Sequence, residues 1–174
     1  LDKPVQIGEL SAEKMSGRGR FNVAVSPDGS KLLVLSQPNY TKDANEKIGI
    51  ALFEKGFTKK YSGEQTYGYE WTKAVDNEPY VNNQGMAFIL KKTDMKGDDN
   101  TFSVFSYDGK ALKEFKIEME GKRKVATIVQ AFSPEGDFAV GGYYTEEGKF
   151  KAGIGKALHG TFLYRIDKAG ADAK

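Results

Sequence analysis

At 174 residues the chain is long enough to bury a core as one domain, since a chain of this size buries about 70% of the surface its unfolded form exposes. Lys and Arg total 26 against 24 Asp and Glu, and the net charge of +2 excludes a strong long-range field toward nucleic acid or anionic lipid. No cysteine is present, which excludes disulfides, zinc–thiolate sites and cysteine nucleophiles but leaves the redox compartment open.

Residues 1–20 hold a short alternating piece, Val5-Gln-Ile-Gly, then a polar stretch ending in Gly17-Arg-Gly-Arg20, and are expected to be a lead-in. From Phe21 to Gln37 two extended, alternating runs flank Ser-Pro-Asp-Gly. Pro27 presets a turn there, and Gly29 can take positive φ in it without steric cost. A polar loop is expected from Pro38 to Glu46, then a strand over Lys47–Phe53, a Glu-Lys-Gly turn and a fourth strand beginning at Phe57. Ile48, Ile50 and Leu52 share one face of the third strand while Ala51 and Phe53 take the other, which predicts a sheet covered on both sides.

The same order returns with Val81-Asn-Asn-Gln-Gly85 before Met86–Leu90, a loop expected over Lys91–Asn100, the strand Thr101–Ser106, an Asp108-Gly109 turn and Leu112–Met119. The alternation of Phe115, Ile117 and Met119 against Glu114, Lys116 and Glu118 predicts a half-buried outer strand. It returns again with Phe132-Ser-Pro-Glu-Gly136, the strand to Tyr144, a glycine- and lysine-rich loop to His159, and Thr161–Ile166. Asp167-Lys168 opens a turn, and the remaining Ala-Gly-Ala-Asp-Ala-Lys is too short for a fourth strand.

Copies of a four-stranded unit recurring roughly every 50 residues are the signature of β-propeller blades. The expected fold is therefore all-β, with blade-like units over 21–66, 77–120 and 126–168, the last incomplete, a lead-in over 1–20 and a tail over 169–174. A sandwich of about ten strands is the rival all-β reading. The twin Ser-Pro-Asp/Glu-Gly hairpins favour the propeller. Closed propellers have at least about four blades, so a place in a larger ring, or completion by a partner, is expected.

The Ser-Pro-Asp-Gly hairpin with an apolar strand on each side resembles the first two strands of WD40-like and TolB-like blades. The fuller pattern adds Leu-Val-Leu-Ser, the Asn-Tyr-Thr-Lys loop, Gly-Gly-Tyr-Tyr-Thr-Glu and the closing His-Gly-Thr-Phe-Leu-Tyr-Arg-Ile-Asp. It resembles a group of uncharacterised secreted or envelope proteins of Bacteroidota-type bacteria, over roughly Phe21 to Asp167. The resemblance implies a propeller, a longer parent chain and a periplasmic, outer-membrane-associated or secreted location, and it carries no catalytic residues. The Gly-His and Trp-Asp pairs of classical WD40 blades are absent, so that family's partners are not implied.

No apolar run approaches the ~20 residues of a membrane-crossing helix, and Leu1-Asp-Lys-Pro has neither the basic start nor the apolar stretch of a signal peptide. The chain begins without methionine, so a trimmed amino end and loss of any export signal are expected.

Candidate chemistry is sparse. His159, the only histidine, lies in a glycine-rich stretch and reads as structural rather than as a triad member. Glu146-Glu147 reads as solvated surface, although a converging carboxylate pair could hydrolyse a glycoside. Asp94, Asp98, Asp99 and Asn100 supply the oxygen ligands calcium accepts, but their spacing misses the EF-hand pattern and a polar turn is the better reading. The basic groups Arg18–Arg20, Lys59-Lys60, Lys91-Lys92 and Lys122-Arg-Lys124 fall at expected strand ends or loops, where lysine blocks edge-to-edge pairing. Tyr143 and Tyr144 beside Gly141-Gly142, with Tyr40, Tyr67, Tyr69 and Trp71, could form a platform for sugar or peptide, or serve blade packing.

These features predict a non-catalytic scaffold without cofactor, whose partners are a protein, the remainder of a longer chain, or a glycan, with no nucleic acid and no membrane span. The alternatives are a fragment of a propeller hydrolase acting on sugar or peptide, and an assembly subunit completed by a strand from a partner chain.

Overall fold

The computed structural model describes residues 3–10, 19–38, 44–70, 74–95, 99–121, 123–146 and 158–173. The chain is all-β and folds into three antiparallel meanders of the kind that forms propeller blades. The first joins β1 (Arg20–Val25), β2 (Lys31–Gln37), β3 (Asn45–Glu54) and β4 (Lys59–Glu70) in chain order. The second joins β5 (Ala74–Val81), β6 (Ala87–Met95), β7 (Asp99–Tyr107) and β8 (Leu112–Lys116), and the third β9 (Arg123–Phe132), β10 (Phe138–Glu146) and β11 (Gly160–Ile166).

The predicted corners are present and match in hydrogen bonding. Gly29, Gly85 and Gly136 all have positive φ, and their N–H groups donate to the carbonyls of Ser26, Asn82 and Ser133 at 2.8, 3.0 and 2.9 Å. The side chain of that first residue then accepts the N–H at or just before the start of the next strand: Lys31 to Ser26 Oγ at 2.9 Å, Met86 to Asn82 Oδ1 at 2.9 Å, and Asp137 to Ser133 Oγ at 3.2 Å. This fixes the true correspondence, Lys31 with Met86 with Asp137. The first corner carries one residue more, Ser30, between its glycine and that matching position. Aligning the glycines alone would invert the face assignments of the first sheet relative to the other two, because side chains alternate along a strand.

With that correspondence the sheets stack in one sense. Leu33, Leu35, Ile48, Ile50, Leu52 and Tyr67 of the first sheet pack on Val81, Ala87, Ile89, Phe105 and Tyr107 of the second. The opposite face of the second sheet, with Phe88, Leu90, Val104, Phe115 and Ile117, packs on Phe138, Val140 and Ile166 of the third. Phe88 and Phe138 stack with ring centres 4.9 Å apart. Corners also tie neighbouring sheets. Asn83 Oδ1 accepts the N–H of Asp28 at 3.1 Å, and buried Asn82 donates to the carbonyls of Gly136 at 3.1 Å and Lys168 at 2.9 Å.

Three expectations are corrected. The loop predicted over Lys91–Asn100 is largely strand, because β6 runs to Met95 and β7 begins at Asp99. Glu46, expected in a polar loop, lies in β3 and is buried. The first sheet is not covered by a sheet on both sides: among the described residues, the face bearing Val23, Val25 and Leu32 has the lead-in nearby, with Gly8 against the Phe21 ring, but no further sheet.

Candidate functional site

Each pair of stacked sheets leaves a wedge at the end away from the corners, and the two wedges differ. In the first, Glu46 of β3 meets Lys91 of β6 in a buried ion pair. Asn77 Nδ2 and Gln37 Nε2 donate to Glu46 Oε1 at 2.6 and 2.7 Å. Lys91 also donates to Asn77 Oδ1 at 3.2 Å and lies 4.3 Å from the centre of the Tyr67 ring. Asn22 closes the margin by donating to the Asn77 carbonyl at 3.1 Å. Burying two charges costs several kcal/mol unless hydrogen bonds satisfy them; here both carboxylate oxygens are engaged. The Tyr67 hydroxyl is buried with no hydrogen-bond partner among the described residues. Burial, reinforced by the nearby Glu46 charge, pushes its pKa up.

The second wedge is a cleft of about 270 Å³ lined by Glu78, Leu90, Lys92, Phe102, Ile128 and Gln130. Counted from the corners, Glu78, Lys92 and Ile128 occupy the positions held in the first wedge by Asn22, Gln37 and Asn77. The residue matching Lys91 is Gly142 of β10. Where the first wedge holds a lysine, the second has a glycine with the Phe162 ring of β11 beside it. A Cβ at Gly142 would run into the Thr127 carbonyl and come within 3.0 Å of the Phe162 ring, so close packing beside the β9 bulge requires the glycine there.

A relay of hydrogen bonds orders one wall. Gln130 Nε2 donates to the Tyr80 hydroxyl, which donates to Glu78 Oε2 at 2.7 Å. Burial first, and then the Glu78 contact, push the Tyr80 pKa up, so the phenol stays protonated and remains a donor. Glu78 is the one carboxylate in the lining of this cleft.

The residues singled out from sequence are dispersed. Tyr143 is exposed on the outer face of the third sheet with Val129 and Leu163. Tyr144, next along β10, lies on the other face, its ring centre 5.1 Å from the Arg123 guanidinium carbon. Tyr67 is buried in the first seam, and Tyr69 packs there edge-on against Phe105. Trp71, Tyr40 and Asp98 lie outside the described residues; Asp94, Asp99 and Asn100 lie on the paired ends of β6 and β7. His159 is exposed and its backbone N–H donates to the Tyr144 carbonyl at 2.9 Å. Lys91, read from sequence as a solvated strand-end lysine, is instead mid-strand and fully buried, because Glu46 across the seam needs a counter-cation. The lining of the cleft carries no motif in sequence, since it gathers on β5, β6, β7 and β9 only after the sheets pack.

No protein-family model and no curated protein matches the chain. Among solved structures, similarity is found to cobalt-substituted Synechocystis ACO, at 14% identity and a TM-score of 0.47 over 90% of this chain and 37% of that one. A Trp149Ala mutant of Synechocystis apocarotenoid oxygenase matches at 12% identity and a TM-score of 0.46, over 88% and 37%. The chain thus spans little more than a third of their length, and likeness of this degree carries no chemistry over to it.

Proposed function

We propose that the chain is a segment of a larger propeller and works as a non-catalytic scaffold, its outer sheet faces meeting further blades or a protein partner and its cleft taking a small ligand. The observation that carries this reading is a contrast at matching positions. Leu163 is 73% exposed on the outer face of the third sheet, whereas its counterparts Val104 and Ile50 are 0% and 1% exposed inside the seams. At the other end Val25 is 61% exposed and its counterpart Val81 0%. Fully burying such a side chain is worth about 1.5–3 kcal/mol, so covering Val25 or Leu163 with a further apolar surface would be favourable. The cleft lining holds one carboxylate, whereas the usual route of glycoside hydrolysis needs a pair, which favours binding over that branch of the hydrolase reading.

In light scattering the chain is expected to self-associate, and Val25→Lys with Leu163→Lys to give a monomer that unfolds as cooperatively as before. A monodisperse parent chain that binds no hydrophobic dye overturns the reading. Envelope or secreted location belongs to the same proposal, rests on the resemblance of the Gly160–Asp167 run, and is tested by cell fractionation.

One observation favours the assembly-subunit reading as a second. The outer edges of β3 and β7 are paired with β4 and β8, while that of β11 carries, among the described residues, only the Ile166–Ala173 bridge. Protection of β11 amides from hydrogen exchange on adding an extended partner peptide would support it.

A further inference from the structure

We propose that the cleft between the second and third sheets is a subsite for one neutral sugar ring, presented at the end of a glycan. The inference deepens the scaffold reading and rests on it only for the claim that the cleft takes a small ligand.

Size sets the first bound. Pockets for drug-sized molecules run to about 300–1,000 Å³, and this one, at about 270 Å³, suits a single ring whose remaining chain stays in solvent. Charge sets the second. Glu78 and Lys92 project from the same face of neighbouring strands, on a diagonal of the ladder whose Cα atoms stand roughly 7–8 Å apart. They form no ion pair with each other, and their opposite charges leave the lining net neutral.

The hydrogen-bonding set is the third. The relay through Tyr80 uses one Glu78 oxygen and one Gln130 hydrogen. It leaves the other carboxylate oxygen, the Gln130 carbonyl oxygen and the Lys92 ammonium for a ligand. Two planar acceptors beside a donor match hydroxyl groups, each of which donates and accepts. Leu90, Phe102 and Ile128 supply an apolar surface for the C–H face of the ring. An aliphatic ligand would make no use of those polar groups. The wedge between the first and second sheets fills the matching level with its own polar side chains, so the cleft is a property of this pair of sheets and not of stacking in general.

The test is a backbone amide NMR titration of the chain with methyl pyranosides of the gluco, galacto and manno series, alongside N-acetyl-leucine methylamide. Shifts confined to β5, β6, β7 and β9, with Kd around 1 mM, are expected for at least one pyranoside. Glu78→Ala and Gln130→Ala should weaken binding tenfold or more, and Glu78→Gln, which keeps the volume, should do so without disturbing the spectrum elsewhere. Leu163→Ala should leave binding unchanged. Shifts with the leucine amide alone overturn the sugar assignment and leave the scaffold standing. Absence of shifts with every pyranoside overturns the subsite, whereas the scaffold falls only to a monodisperse, dye-free chain.

Discussion

Between the first and second sheets the level of Asn22, Gln37 and Asn77 is closed by Glu46 and Lys91; between the second and third, the matching level holds Glu78, Lys92 and Ile128 around open space. The two levels differ at every matched position named: Asn22 against Glu78, Gln37 against Lys92, Asn77 against Ile128, and Lys91 against Gly142. Stacked repeats can therefore differ in how a seam is filled at one level while their corners stay alike.

The largest effect should come from the sealed seam. Lys91→Ala leaves the Glu46 carboxylate buried without its cation and should cost about 3–5 kcal/mol in urea unfolding. Lys91→Met combined with Glu46→Leu should recover most of that loss, since well-packed apolar replacements of a buried pair are often neutral. If the double variant is no better than the single, the pair is not the seal described. Phe88→Ala, which removes a ring stacked on Phe138, should cost a similar ~3–5 kcal/mol.

Gly142→Ala should lose about 1–3 kcal/mol by overpacking, because its Cβ would meet the Thr127 carbonyl and the Phe162 ring within the third sheet. Tyr67→Phe sharpens the comparison from the other side. Removing a buried hydroxyl that lacks a partner should stabilise the chain by about 1 kcal/mol. A loss would mean that the hydroxyl takes part in the seal.

A smaller, pH-dependent effect belongs to the third sheet. Arg165 bonds the Asp137 carboxylate and holds its pKa below the usual value, helped by the Lys168 N–H at 2.7 Å. Because the folded pKa is depressed, the stabilisation is complete above the unfolded value of about 3.9 and is lost as pH falls through the lower folded value. The stability difference between parent and Asp137→Asn should therefore shrink in acid unfolding curves. Smallest of all, Glu78→Ala and Lys92→Ala in the open seam should change stability by less than about 0.5 kcal/mol.

Much of the fold is legible locally. Ser-Pro-Asp-Gly and Ser-Pro-Glu-Gly mark corners because proline and glycine restrict the backbone regardless of context, and the alternation of Ile48, Ile50 and Leu52 names their face correctly. What escapes a reading of the sequence depends on partners far along the chain. Lys91 reads as solvated because lysine usually is, and only Glu46, on another sheet, reverses that. Glu78, Lys92 and Gln130 are ordinary surface residues until two sheets bring them around one space. Ser30 hides a register offset that only the hydrogen bonds of the corners reveal.

Asn82 reaches from the middle sheet to the carbonyls of Gly136 and Lys168 while its own oxygen accepts the Met86 N–H just before β6. Peeling the last meander away would strand that amide in a dry corner. Separation of the modules is thus penalised from its first step, and melting should proceed as one event rather than blade by blade.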